Sequence, residues 1–209
     1  LTHEEIAQRL DPLTELSVAL GHMHDISLLL ERILQTAKSM THADGGTLYR
    51  TSADKKSLHF HLAINDSLHL RHGGVNDDGV DDVAIDMPSI PLLDKDGKPN
   101  LNAVAAYAAN RKESVNIDDV YSTPLFNFLG MREFDAHNQY HCQSLLAVPM
   151  LDHEGELIGV LQLINVIDPV TGAICPFSET DKRFIEALAS QAAIAISNQI
   201  LISQLENLF

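Results

Sequence analysis

The stretch SLLAVPMLDHEGELIGVLQLINV, residues 144–166, decides the fold class. Two apolar runs, Leu145–Leu151 and Leu157–Val166, are separated by Asp152–Gly155, whose Asp and Gly residues are typical of a hairpin turn. The pattern predicts two antiparallel strands, and the long apolar content of the second predicts that it lies centrally in a sheet.

Two helices are predicted before any strand. Apolar residues recur at steps of three and four from Ile6 to Leu20 and again from Leu29 to Met40, with the second helix starting at about Asp25. The period then changes to two, because Leu58, Phe60, Leu62 and Ile64 alternate with His59, His61 and Ala63. This alternation predicts a half-buried strand, with Gly46–Thr51 as its partner.

The middle of the chain has weaker patterns. Residues 71–98 are rich in Gly, Asp and Pro, and they predict a long loop around a weak strand at residues 83–90. Loops of this length often cover a site. A short helix is predicted at residues 102–111, a short strand at 115–117, and a helix or irregular cover at 124–138.

A helix of about 30 residues is predicted from Ser178, with Glu179 and Asp181 in its first turn, where carboxylates are favourable. Five of its residues follow coiled-coil spacing and predict a homodimer interface. They are Ile194, Asn198, Leu201, Leu205 and Leu208. A second stripe contains Ile185, Leu188, Ala192, Ile196 and Ile202. One stripe is expected to pack on the sheet and the other on a partner helix; the alternative is that the second packs on the N-terminal helices.

Composition limits the function. The chain has 209 residues, 45% of them apolar, and a net charge of -15, which disfavours nucleic acid and anionic membrane surfaces as partners. Its two cysteines, Cys142 and Cys175, form no disulfide framework and fit a cytoplasmic location. No stretch is expected to span a membrane, and the chain is taken to be a piece of a longer protein.

Three local sequences resemble the GAF domain family. Ala43–Tyr49 is similar to the family's first strand, and Ser144–Met150 with Gly159–Asn165 is similar to its late hairpin. The resemblance covers roughly residues 25–200. It implies an α/β (α+β) fold in which an antiparallel sheet of about six strands is flanked by helices. The predicted organisation is an N-terminal helical extension (1–24), a sensory core (25–177) and a C-terminal signalling and dimerisation helix (178–209).

Members of the family that bind cyclic nucleotides carry an N-K, F-x-x-x-D-E motif. Asn165, Phe177 and Asp181 match it, whereas Val166 and Lys182 replace its Lys and Glu. Without that Lys, Asp181 is expected to serve as a carboxylate at a helix start.

A narrower resemblance is to GAF domains that precede HD-GYP phosphodiesterase domains, carried by Gly45–Tyr49, Asn65–Leu68, Arg71 to Gly74 and Leu205–Phe209. It implies a parent protein that hydrolyses cyclic di-GMP, with its catalytic metal ligands beyond Phe209.

The predicted ligand site lies between the sheet and its covering segments. Aromatic residues would stack a planar ligand, and Asn, Asp and Ser would fix its polar edge. The candidates are Asn65, Asp66, Asn116, Asp118, Tyr121, Phe126, Phe134, Tyr140 and Ser144. In the alternative interpretation the Phe residues are ordinary core and the Asp residues are solvated.

The sequence patterns for a metal site, a bilin site or a catalytic site are weaker. Eleven His residues, including the pair His59 and His61, could chelate a metal, but no third ligand stands at typical spacing, so no metal is expected. His141-Cys142 is faintly similar to bilin-binding GAF domains. No catalytic motif is present.

The sequence therefore predicts a non-catalytic sensor that binds a small ligand of unknown identity, with a cyclic nucleotide as one candidate. It would control an output domain in the same chain; the alternatives are a dimerisation module without ligand and a haem, bilin or metal sensor.

Overall fold

The computed structural model describes residues 11, 12, 14, 15, 25–73 and 88–208. The predicted extension 1–24 therefore lies almost entirely outside the described residues, as do the first helix and most of the strand at 83–90. The helices are α1 (Ile26–Thr41), α2 (Val104–Arg111), α3 (Leu129–Asn138) and α4 (Glu179–Glu206). The strands are β1 (Ala43–Thr51), β2 (Ser57–Asn65), β3 (Leu70–Gly73), β4 (Ile90–Pro91), β5 (Val115–Ile117), β6 (Leu145–Leu151), β7 (Leu157–Ile167) and β8 (Ile174–Cys175).

The strands form one antiparallel sheet in the order β3-β2-β1-β7-β6-β5, with β4 paired to β2 and β8 to β7. The predicted hairpin is β6–β7, and β7 lies in the middle of the sheet, between β1 and β6. The predicted fold class is confirmed. Strands β3 and β8 were not predicted, because β3 overlaps the Gly- and Asp-rich segment interpreted as a loop and β8 has only two residues.

The predicted alternation along β2 is wrong at its centre. Leu48 of β1 pairs with Leu62 and Tyr49 pairs with Phe60, so His61 is an extra residue. Such a bulge moves the following side chains to the opposite face. Leu58 and Phe60 consequently pack on one side of the sheet and Leu62 on the other.

The two faces of the sheet are packed differently. Helices α1 and α4 lie on one face, which we call the solid face, and bury Leu146, Leu161 and Leu163 of the central strands. Helix α1 approaches β1 so closely that a Cβ on Gly46 would lie 2.6 Å from Leu34 Cδ1, so any larger residue there would force Leu34 to move. Helix α2 and the segment 126–142 cover the other face, which we call the hollow face.

Helix α4 begins at a capping box. Asp181 N–H donates to Ser178 Oγ (3.0 Å), and Ser178 N–H donates to Asp181 Oδ2 (2.9 Å). This confirms the helix-start role expected of Asp181. Ile185, Leu188, Ala192 and Ile196 of the second stripe are fully buried, but Ile202 is exposed. The opposite stripe stays exposed, at 52% for Leu201 and 57% for Leu205.

By length and composition, helix α4 could cross a membrane, with a mean hydropathy of 1.3 over 18 residues. The expectation that no stretch spans a membrane stays a prediction. The criterion is weak, because a core helix meets it as well, and the first half of α4 packs on the solid face.

Candidate functional site

A cavity of about 470 Å³ lies on the hollow face. Its floor is a row of side chains that stand opposite one another across the sheet, because His72 pairs with Ala63, Ala63 with Thr47, and Thr47 with Gln162. The volume falls within the range of small-molecule sites, roughly 300–1,000 Å³.

The cavity exists because small residues occupy positions where large ones would fill it. Ala63 and Thr47 lie in the floor, and Ala103 and Ala105 lie at the start of α2 in the roof. Helix α3 and the residues before it complete the roof with Phe128, Met131 and Phe134. Tyr49 and Phe60 form a wall, with ring centroids 4.7 Å apart. The lining is therefore mostly apolar and rich in aromatic rings.

The polar end of the cavity is Asn65. This residue is only 4% exposed, and its Oδ1 accepts a hydrogen bond from Leu68 N–H (3.0 Å). That bond orients the amide and leaves Nδ2 as the free donor. Although Nδ2 lies near the Tyr140 hydroxyl, it makes no hydrogen bond of acceptable geometry. A buried donor without a partner is unusual and points to a missing acceptor.

A buried network supports this end of the site. Tyr140 Oη donates to Asp44 Oδ2 (2.7 Å) and accepts from Asn165 Nδ2 (2.9 Å). Asn165 adopts a positive φ of 56°, and its Oδ1 accepts from Gln143 N–H (2.7 Å). Asp44 Oδ1 accepts from the Ser67 hydroxyl (2.7 Å). The network joins the start of β1 to the end of β7 and to the loop after α3.

Electrostatics on the hollow face favour neutral groups. Burial raises the pKa of Tyr49, and burial together with the hydrogen bond to Asp44 raises the pKa of Tyr140. Burial also raises the pKa of Cys142, which lines the cavity, far above its ordinary value of 9.0. This thiol is protonated near neutral pH and is a poor nucleophile.

Two of the nine predicted ligand residues, Asn65 and Phe134, line the cavity. Asp66 is directed away from it and pairs with the buried Lys38 (2.5 Å). Asn116 Nδ2 donates to the Phe177 carbonyl (3.0 Å), and Asp118 is exposed.

The other four predicted residues have structural contacts. Tyr121 Oη donates to Asp135 Oδ2 (2.6 Å), which raises the pKa of Tyr121 to about 12. Phe126 packs edge-on against Tyr107. Tyr140 belongs to the buried network with Asp44 and Asn165, and Ser144 Oγ accepts from Val166 N–H (3.3 Å). A role for these residues in ligand binding remains a prediction that the geometry favours only for Asn65 and Phe134.

The sequence analysis did not identify the residues that form the floor of the cavity. Thr47 and Gln162 are polar residues inside otherwise apolar strands, and Gln162 interrupts the run LIGVLQLI. A polar residue at a central strand position is the signal that could have indicated a site, because such a position is usually filled by apolar packing.

Within residues 25–73 and 88–208, no group of three or more His, Cys, Asp and Glu side chains is placed to hold a metal ion. The exposed His59 instead lies 3.5 Å from the Ser57 hydroxyl. The prediction that no metal binds is not tested by this arrangement.

The fold and the cavity together define a class of protein, an α+β domain with an antiparallel sheet that is filled on one face and hollow on the other. The family model of the GAF domain matches residues 25–196. The chain therefore belongs to the GAF domain family.

Two curated relatives are cyclic-nucleotide phosphodiesterases. The dual 3',5'-cyclic-AMP and -GMP phosphodiesterase 11A of Takifugu rubripes is 31% identical over 105 residues, which is 50% of this chain and 11% of that protein. The probable 3',5'-cyclic phosphodiesterase pde-5 of Caenorhabditis elegans is 25% identical over 97% of this chain and 25% of its own length. The chain thus corresponds to a small part of each relative.

Solved structures share the fold at low identity. The GAF domain of an Acinetobacter phosphoenolpyruvate-protein phosphotransferase has a TM-score of 0.62 at 16% identity, covering 94% of this chain and 98% of its own. A GAF domain/HD domain protein from Geobacter sulfurreducens has a TM-score of 0.55 at 15% identity, covering 87% and 98%.

Proposed function

We propose that the chain is a non-catalytic regulatory GAF domain that binds one small, flat ligand in the cavity and controls an attached output domain. The observation that carries the proposal is the cavity itself, with aromatic walls and the unpartnered amide nitrogen of Asn65 at its buried end. The phosphodiesterase relatives support a regulatory role and make cyclic nucleotides the first ligand class to test.

The conformational change caused by ligand binding would be transmitted from the cavity to α4. Asn65 is followed by Asp66, which forms an ion pair with Lys38 of α1, and α1 packs against α4 on the solid face. A ligand can shift this assembly only if it binds two arrangements of it with different affinities. The exposed stripe of α4 would then pass the change to a second copy of the chain.

The output domain would follow α4 in the same chain. An HD-GYP domain that hydrolyses cyclic di-GMP is the candidate from sequence resemblance, and the fold likeness to a GAF domain/HD domain protein is compatible with it. We assign residues 25–177 to the sensory core and 178–209 to the signalling helix, in a cytoplasmic protein.

Native mass spectrometry of freshly purified chain tests the ligand proposal. We expect one small molecule per chain, and a reduced fraction in the variant Ala63→Leu, which fills the floor between Thr47 and His72. Thermal unfolding checks that this variant is folded. An empty wild-type chain that is also not stabilised by any of a panel of nucleotides and nucleosides would refute ligand binding and leave a dimerisation module.

A further inference from the structure

We propose that two copies of the chain associate with their α4 helices parallel and in register, so that Asn198 of one copy pairs with the partner's Asn198. This orientation rests on the proposed function, in which α4 passes the signal to a second copy. It adds the direction in which the two helices run and the residues that select that direction.

The exposed surface of α4 follows one heptad repeat. With Asn198 at position a, the other a positions hold Gln191 and Leu205, and the d positions hold Ala187, Ile194, Leu201 and Leu208. All of these residues are exposed, and we call them the seam. At 1.5 Å per residue the seam runs for about 32 Å along the helix.

A second α4 is the partner that fits the seam. Gln199 is the last buried residue of the helix, and Leu201, Leu205 and Leu208 continue the seam beyond it at 52%, 57% and 76% exposure. An apolar stripe that continues past the body of the domain needs a partner of the same length and period, and α4 of another copy has both. Residues 187–205 contain no charged side chain, so nothing in this part of the seam repels a copy of itself or selects an oppositely charged partner.

The polar residues of the seam favour the parallel direction. In a parallel pair of helices each a residue faces the same a residue of its copy, whereas in an antiparallel pair a residues face d residues. Gln191 and Asn198 are both at a, and every d residue of the seam is apolar. A parallel pair therefore lets the two Asn198 amides hydrogen-bond to each other, whereas an antiparallel pair buries each amide against an apolar side chain, which is costly.

The same amides fix the register. A slip of one heptad would place Asn198 of one copy against Gln191, and Asn198 of the other copy against Leu205, which leaves one amide without a partner. Charged e and g residues often set the register of a coiled coil, but those positions are uncharged from 188 to 204. Ile202 occupies an e position, where its 41% exposed side chain would cover the edge of the seam.

Parallel pairing brings the two chain ends together. With Leu208 of one copy against the partner's Leu208, the segments that follow the two α4 helices begin side by side. A ligand-dependent shift of one helix against the other would then act on both output domains at once.

Single cysteines in the seam test the direction. Ile194→Cys and Leu205→Cys are each made in the full chain together with Cys175→Ser, because Cys175 is partly exposed whereas Cys142 is buried. The two seam positions lie about 16 Å apart along the helix, and in an antiparallel pair a residue meets its own copy only at the two-fold axis. A disulfide needs Cα atoms within about 7 Å, so only a parallel pair in register allows both variants to crosslink.

We expect mild oxidation to convert most of each seam variant into a covalent dimer. The control Glu206→Cys, in the same background, is exposed at a b position directed away from the partner and should crosslink much less. If the wild type sediments as a dimer but only one seam variant crosslinks, or neither does, the inference is overturned while ligand binding and self-association stand. A wild type that is monomeric at tens of micromolar refutes both the inference and the coupling of two copies in the proposed function.

The variant Asn198→Leu tests the selecting residue. A buried amide at a fixes direction and register at a cost in stability, so Asn198→Leu should associate at least about tenfold more tightly. Combined with Ile194→Cys it should also crosslink less completely, because other directions and registers become accessible. The matched control Asn207→Leu, at an exposed c position, should change neither property. An Asn198→Leu chain that is folded by circular dichroism and associates no more tightly than the wild type overturns the role of Asn198.

Discussion

The solid and hollow faces of the sheet are made by the same strands and serve different ends. On the solid face, α1 and α4 press fully buried Leu and Ile side chains into β1, β6 and β7. On the hollow face, Ala63, Thr47 and Gln162 leave a cavity of about 470 Å³ under α2 and α3. The difference teaches that one set of strands can be tightly packed on one face and enclose a cavity on the other.

The largest loss of stability is expected when either of two adjacent leucines of β6, one on each face of the sheet, is replaced by alanine. Leu146 packs on the solid face and Leu145 lines the cavity, and both are 0% exposed. We expect Leu146→Ala to lower the free energy of unfolding by about 3–5 kcal/mol and Leu145→Ala by about 2–3 kcal/mol. The second loss is smaller because Leu145 already borders empty space and has fewer partners to lose. Urea denaturation measures both, and equal losses would show that the hollow face is packed as tightly as the solid one.

The next pair is Gly46 and Gly45 in β1. Gly46→Ala would drive a methyl group to 2.6 Å from Leu34 Cδ1 and 3.0 Å from Leu163 Cδ2, so we expect it to cost about 1–3 kcal/mol. Gly45→Ala meets Ile164 and Asn65 at 3.0–3.1 Å, beside a cavity into which they can move, so we expect about 1 kcal/mol or less.

Gly45→Ala should instead weaken ligand binding, because it displaces the Asn65 amide. Thermal unfolding and ligand titration of both variants separate the two effects. A Gly45→Ala variant that is less stable than Gly46→Ala would contradict the assignment of the faces.

The sequence predicted the solid face better than the hollow one. The stripes of α1 and α4 and the β6–β7 hairpin follow from period and turn chemistry, which are local properties. The bulge at His61 depends on how β2 pairs with β1, so alternation alone could not reveal that Leu62 changes face.

The site was harder to predict for a related reason. A cavity forms where small side chains leave space unfilled, and neither Ala63 nor Thr47 is unusual in a strand. Polar and aromatic residues that drew attention, such as Tyr121, Asn116 and Asp66, satisfy their hydrogen bonds within the fold instead. Asn65 was recognisable because it ends a strand. That its Nδ2 lacks a hydrogen-bond partner depends on the side chains packed around it, which the sequence does not show.

Alkaline pH provides a third test of the hollow face. Burial raises the pKa of Cys142 above its ordinary value of 9.0, so above that pH the unfolded chain loses a proton that the folded chain keeps. The stabilisation is complete below pH 9.0 and is lost as the pH rises, by about 1.4 kcal/mol per pH unit at most for this one group. Urea denaturation at about pH 8 and about pH 10 measures the slope. Cys142→Ala removes this contribution, so its stability should fall less steeply; identical slopes would mean that the thiol ionises freely in the folded chain.

The smallest effect on stability is expected at the exposed stripe of α4, which also provides the sharpest test of the dimer. Leu201 and Leu205 are 52% and 57% exposed, so the double change of both to Glu should alter the free energy of unfolding of the single chain by about 0.5 kcal/mol or less. Two carboxylates in a coiled-coil seam would however repel their copies across the dimer axis. Sedimentation at tens of micromolar should therefore give a dimer for the wild type and a monomer for the variant. The matched double change of Leu188 and Ile196, which face the sheet, should unfold the chain instead, because both side chains are 0% exposed. A wild type that sediments as a monomer would mean that the exposed stripe of α4 does not self-associate in this chain, and coupling between two copies would have to use another surface.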